Sequence, residues 1–263
     1  RTDDSTHTVG DIFLKLAPMM KLYTEYVNNY DTANKVLQDC ERRKPFKQFV
    51  ENQMREKNSP LPELNAYLIM PVQRLPRYEL LLKALIEHTP DDHVDMNNLR
   101  EAYLKVKEIN RHVNRRKREG DSRKGVVNVQ ERLGGSTEVN LVAPHRVYVR
   151  DGMPDVVEAK GRAMKHALFF LFNDLLLVTV AKTHAVTDTT PCSYKAHHLL
   201  HKAAVIDLGF TETKGQKTHL LKITPRAERK KDETDYMMGF RDEETKKSWI
   251  SDLQKAIMYS GPK

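Results

Sequence analysis

Cysteine is nearly absent from this 263-residue chain, with Cys40 and Cys192 the only two. No disulfide framework beyond one bridge is therefore open to it. No asparagine is followed two positions later by serine or threonine, so there is no N-glycosylation acceptor, and a reducing, cytosolic setting is the expectation. Long apolar runs are missing too: the most apolar stretch, Ala167 to Ala181, is broken by Asn173 and Asp174 and falls short of the ~20 residues that cross a bilayer. The first ten residues are polar and lack the apolar centre of a signal peptide.

Signatures of small-molecule catalysis are equally scarce. The segment from Gly120 to Gly125 has the glycine spacing of a P-loop, but Val126 and Val127 stand where lysine and a hydroxyl residue would hold phosphate and magnesium. His197, His198 and His201 cluster without a cysteine partner or an HExxH arrangement. Neither a GxSxG elbow nor a glycine-rich dinucleotide fingerprint occurs. No small-molecule active site, metal or cofactor is expected. What the chain has instead is charge: 30% of its residues are charged, with a net +8, which favours acidic partners without choosing among them.

The length allows one large domain or two ordinary ones, and the pattern changes midway. From Ile12 the residues Ile12, Leu16, Met19, Tyr23, Tyr26, Tyr30, Ala33, Leu37 and Cys40 recur at alternating spacings of four and three. That predicts one long helix with its core face on this stripe and an irregularity near residues 28–31. A second helix starts at Pro45 and runs to Lys57, and the turn Asn58 to Pro62 ends it. The segment Leu64 to His88 is helical in pattern but contains Pro71 and Pro76, each removing an amide hydrogen, so a kink or break is expected. Asp95 to Arg118 repeats the helical spacing through Leu99, Ala102, Val106, Ile109 and Val113. Six basic residues against two acidic follow in Asn114 to Lys124, read as a solvated helix end, and Gly134, Gly135 and Ser136 mark a joint. Beyond it come short β-branched and aromatic runs: Val147–Val149, Ala167–Phe172, Leu175–Val180, Ala204–Leu208, His219–Ile223 and Tyr236–Phe240. The chain closes with a helix capped by Asp242 whose apolar face is Trp249, Leu253 and Ile257. The fold class is thus multidomain, α then α+β: a helical bundle over 1–133, then a small sheet domain ending in one helix over 134–263. No internal repeat of 20 to 50 residues is present.

Two segments go further than pattern. Leu68-Ile69-Met70-Pro71-Val72-Gln73-Arg74-Leu75-Pro76-Arg77-Tyr78-Glu79-Leu80-Leu81-Leu82-Lys83 resembles the third conserved block of the Dbl-homology (DH) domain of Rho-family guanine nucleotide exchange factors. Val9 to Lys15 followed by Tyr23-Thr24-Glu25-Tyr26 resembles that family's second block, and Val113-Asn114 its final-helix signature. The sheet module with Trp249 in its closing helix is similar to the pleckstrin-homology (PH) domain that follows DH domains. The resemblance implies an elongated bundle that docks on the switch segments of a Rho, Rac or Cdc42-type GTPase and expels GDP without covalent chemistry. It implies that Gln73 and Arg77 face the GTPase and that Asn114 contacts switch II. Helical spacing puts Asn110 and Lys107 on the same side of the helix as Asn114, and Asn110 is a further candidate GTPase-binding residue. Arg77 stands where many members carry lysine, which keeps the charge and changes the donor geometry.

The family's first block, on an earlier helix, supplies a glutamate to switch I, and this sequence starts about ten residues before the second block. A bundle lacking that helix, with impaired exchange by this chain alone, is the corresponding expectation. A membrane-associated scaffold module that keeps both folds without exchange is the rival reading. In the PH-like half, Lys160, Arg162 and Lys165 supply basic groups on the first hairpin, but Ala167 replaces the final arginine of tight phosphoinositide binders. Weak attraction to anionic phospholipid, with recruitment from cytoplasm to a membrane surface, is expected. Nucleic acid is not, because no aromatic residues interleave the basic run.

Overall fold

The structure, a computed structural model, describes residues 7–61, 63–135, 138–159, 162–183, 185–213, 215–225 and 234–260. The chain divides into two compact units between Asp121 and Ser122.

The first unit is helical: α1 (Gly10–Met20), α2 (Tyr23–Glu41), α3 (Lys44–Glu56), α4 (Leu64–Leu68), α5 (Met70–His88) and the greater part of α6 (Met96–Arg132). The single long helix expected from residue 12 is two helices. Pro18 lies inside α1 and cannot donate to the carbonyl four residues back. Tight three-residue turns follow, Leu22 N–H to Met19 O at 3.0 Å and Thr24 N–H to Lys21 O at 3.0 Å. The break therefore falls at residues 21–22 and not at 28–31.

Along α1 the expected core stripe is displaced: Ile12, Leu16 and Met19 are exposed, whereas Ala17 and Met20 are buried and Phe13 and Leu14 pack beside them. In α2 it largely holds, with Leu37 buried and Tyr23, Tyr30, Ala33 and Cys40 half-buried, but Tyr26 is exposed and Val27 is buried in its place. The rotation of α1 is set at its N-terminus. Asp95, 2% exposed, accepts from the Val9 and Gly10 amides at 2.7 and 2.9 Å, capping α1 from the start of α6. Gly10 leaves no room for a side chain, since a Cβ there would lie 2.5 Å from the Asn98 carbonyl carbon. The buried face of α1 is thereby turned onto Leu75, Leu82, Leu99, Ala102, Val106, Ile109 and Val113.

The two prolines behave differently. Pro71 sits in the first turn of α5, where its missing N–H costs little, and the helical segment breaks just before it, at Ile69. Pro76 stays inside α5. The helix expected to end near Arg118 continues to Arg132.

In the second unit, nine strands form two antiparallel sheets among the described residues. One sheet has the order β1 (Tyr148–Gly152), β4 (Ala167–Phe172), β5 (Leu175–Ala181), β6 (Cys192–Leu199). The other has the order β3 (Arg162–Ala163), β2 (Val156–Ala159), β9 (Tyr236–Phe240), β8 (Gln216–Thr224), β7 (Ala204–Thr213). All six residues of β4 are buried because both of its faces are covered. Phe169 and Leu171 enter the core between the sheets with Leu221, Met238 and Trp249. Leu168, Phe170 and Phe172 face Val126, Val129 and Leu133 from the last turns of α6 and the segment after it. That packing explains both the unbroken apolar run and the helix continuing past its basic stretch. Gly125 permits the approach, since a Cβ there would meet the Tyr148 ring at 2.6 Å. The closing helix α7 (Glu243–Tyr259) starts as expected, with the Asp242 carboxylate accepting from the Thr245 amide at 2.6 Å.

Candidate functional site

The third-block segment, Leu68 to Lys83, forms the last residue of α4, a one-residue break at Ile69 and about the first four turns of α5. Its apolar members turn inward: Leu75 is 2% and Leu82 0% exposed. Gln73 is half-buried and Arg77 exposed on the side away from Leu75. One helical turn separates them, and the Arg77 guanidinium donates through Nη2 to Gln73 Oε1 at 2.8 Å, so the two side chains form one unit. Arg74, on another side of the helix, reaches the Tyr23 hydroxyl at 3.4 Å.

On α6, Val113 is buried and Asn114 exposed. Asn110 departs from the expectation that it shares the open side with Asn114. It is buried, and its Nδ2 donates to the Leu75 carbonyl at 3.3 Å and to Glu79 Oε2 at 2.6 Å. Its direct role is to join two helices, a consequence of lying four residues before Asn114 on a helix whose neighbour is α5. Lys107 turns onto its own helix, donating to the Tyr103 hydroxyl at 3.2 Å and lying 5.2 Å from that ring's centroid. Because α5 and α6 are joined by the short segment 89–95, they run in opposite directions. The Asn110–Leu75 contact then brings Asn114, one turn further on, level with the first turns of α5, where Gln73 stands. Glu79 is a member of the site that motif reading missed: its only signal is an acidic residue one turn beyond Leu75.

The candidate lipid residues lie in the second unit. Arg162 is exposed in β3, at the edge of its sheet, and Lys165 is exposed in the turn that follows. Lys160 lies outside the described residues. Ala167 is 2% exposed at the start of β4. The histidines do not converge. His197 bonds to the Tyr194 hydroxyl at 2.8 Å, and His198 bonds through Nε2 to the Tyr236 hydroxyl at 2.9 Å; adjacent positions on β6 point to opposite faces. Burial, reinforced by the charge of His197, pushes the His198 imidazole down to about 4. Among the described residues no group of three or more His, Cys, Asp or Glu could hold a metal ion, and no helix is long and apolar enough to cross a membrane.

A helical bundle followed by two antiparallel sheets and a closing helix is the fold of DH/PH tandems. It is shared with the DH/PH domains of PDZ-RhoGEF in complex with activated RhoA, at TM-score 0.69 and 16% identity over 96% of this chain and 74% of that one. It is shared also with the DH/PH domains of p115-RhoGEF, at TM-score 0.66 and 17% identity over 95% and 73%. Residues 1–114 match the RhoGEF domain family. The chain is 32% identical over 96% of its length to Rac guanine nucleotide exchange factor JJ of Dictyostelium discoideum, spanning 20% of that relative. It is 30% identical over 97% of its length to human FYVE, RhoGEF and PH domain-containing protein 3, spanning 33% of it. The chain belongs to the DH/PH family of Rho guanine nucleotide exchange factors, and it spans a third or less of the curated relatives named here.

Proposed function

We propose that this chain promotes GDP release from a Rho- or Rac-type GTPase through the face carrying Gln73, Arg77 and Asn114. The observation that carries the reading is the pairing of a half-buried Gln73 and exposed Arg77, bonded as one unit on α5, with an exposed Asn114 on α6, the two helices tied at Leu75. Relatives named as Rac exchange factors favour the same partner class. The mechanism is linkage. A face that binds the nucleotide-free switch conformation more tightly than the loaded one lowers nucleotide affinity by the same factor. No bond is made or broken by the chain. Arg162 and Lys165, with Lys160, add a weak electrostatic attraction to anionic lipid that brings the tandem to a membrane surface.

The test is release of a fluorescent GDP analogue from a panel of Rho, Rac and Cdc42 GTPases, with and without the chain. Acceleration on at least one GTPase, lost in Asn114→Ala, supports the reading. No acceleration on any rejects it and leaves the scaffold reading, which vesicle sedimentation then addresses.

A further inference from the structure

We propose that Asn110 and Glu79 are positioning residues for exchange, a buried polar link that fixes the register of α6 against α5. The inference rests on the exchange reading above and adds residues that touch no partner. Asn110 is 8% exposed, and a carboxamide at that burial needs partners. Its NH2 group gives both hydrogens to α5, one to the Leu75 carbonyl and one to Glu79 Oε2. Leu75 lies midway between Gln73 and Arg77 and directly precedes Pro76. Proline there removes the amide that would bond to the Val72 carbonyl, and the bond from Asn110 is made to a different carbonyl of the same stretch, that of Leu75.

The apolar residues on either side, Ile109 and Val113 on α6 and Leu75 and Leu82 on α5, supply adhesion. Adhesion between apolar faces is non-directional, and it leaves sliding and rotation of one helix on the other weakly opposed. Directed bonds fix them. Asn114 is one turn beyond Asn110, about 6 Å along the axis, so a shift of α6 at Asn110 is delivered to Asn114 nearly undiminished. Misplacement of a contact group by ~1 Å costs on the order of a hundredfold in rate.

Stability and positioning separate in the test. Replacing both polar partners by leucine, Asn110→Leu with Glu79→Leu, removes the link and leaves no buried group unsatisfied on either side chain, which is close to neutral for stability. We expect a helical melting transition within a few degrees of wild type and a saturating exchange rate lowered roughly 10- to 100-fold, with a smaller change in the half-saturating GTPase concentration. Glu79→Gln keeps an oxygen for Asn110 to donate to and should retain activity within about threefold of wild type, since a neutral acceptor replaces a charged one. Glu79→Ala, a change at a half-buried position that leaves the Asn110–Leu75 bond in place, gives an intermediate loss and serves if the double variant does not fold. A double-leucine variant, or Glu79→Ala, that exchanges at the wild-type rate overturns the inference alone. A wild-type chain that neither exchanges nor binds any nucleotide-free GTPase overturns the exchange reading and the inference with it.

Discussion

Asp95→Ala tests whether the first unit is assembled by a cap lent from one helix to another. The carboxylate accepts from the amides of Val9 and Gly10, and a hydrogen bond to a charged group contributes about 1.5–3 kcal/mol. The two bonds do not count in full. The residue at Val9 is exposed and its amide can return to water, whereas Gly10 is buried and its amide loses its partner outright. The second carboxylate oxygen, Oδ1, is buried without a partner, so the alanine variant recovers part of that desolvation cost. A net loss of ~2 kcal/mol follows, at the upper end of the range for helix caps. For a unit of this size that lowers the melting temperature by about 8 °C. Ellipticity at 222 nm, dominated by the helices of the first unit, reads the transition, and the single tryptophan, Trp249, reports separately on the second unit. Asp95→Asn, which keeps an oxygen acceptor without the charge, should lose about half as much. An alanine variant whose helical transition moves by less than about 2 °C would refute the cap as the device that orients α1.

Other perturbations have equally definite outcomes. Gly10→Ala drives a Cβ to 2.5 Å from the Asn98 backbone and should cost about 1–3 kcal/mol in the same helical transition; an unchanged melting curve would refute the close approach. Arg77→Glu inverts a charge on an exposed side chain, so stability should stay within ~0.5 kcal/mol, while association with a nucleotide-free GTPase weakens at least tenfold, about 1.4 kcal/mol or more. Undiminished binding in a pull-down titration removes Arg77 from the face. His198 takes up its proton near 6.5 when unfolded but only near 4 in the fold, so it stays neutral in the native state and stability is lost as pH falls from about 6.5 to about 4. The slope lies below the one-proton ceiling of ~1.4 kcal/mol per pH unit, because the ring is only half-buried. His198→Gln should flatten urea midpoints across that window; an identical pH dependence in the variant would exclude His198 as the source.

The legible and illegible parts of the fold divide on a physical line. Local chemistry carries short-range information: Asp242 capping α7, the Pro45 helix start and strands β1, β4, β5, β7, β8 and β9 stand where sequence pattern puts them. The fold class is borne out on the same ground. Rotation of a helix about its axis carries no such local signal. In α1 two apolar stripes lie side by side, Ile12–Leu16–Met19 and Phe13–Ala17–Met20, and both satisfy helical spacing. The choice between them is made by Asp95 and Asn98, more than seventy residues away in the chain. The length of α6 has the same character. Its basic stretch and two glycines resemble a helix end, and only the sheet that receives Val126, Val129 and Leu133 shows why the helix persists. Strands β2, β3 and β6 have no counterpart in the sequence pattern: the first two are only four and two residues long, and in β6 His197, His198 and Lys195 dilute an alternation whose strand partner, β5, is far more apolar.

The candidate site divides in the same way. Gln73, Arg77 and Asn114 follow from the motif, and all three have solvent access, but Asn110 shares their polarity and is enclosed. Its burial depends on which side of α6 meets α5, again a rotation. The free-state pairing of Arg77 with Gln73 bears on how such a face docks. A guanidinium has five N–H donors and the bond to Gln73 uses one, while the Gln73 amide keeps its own two donors. An acidic or carbonyl-rich partner surface can therefore be met without first breaking the pair. The pair restricts two long side chains before contact, which lowers the entropy lost on docking. Lysine at position 77 would place its charge on a longer-range point donor with no planar fork to share between Gln73 and a partner. The arginine is accordingly more than a retained charge: it lets the α5 half of the face be ordered in advance, while the Asn110–Glu79 link orders the α6 half against it.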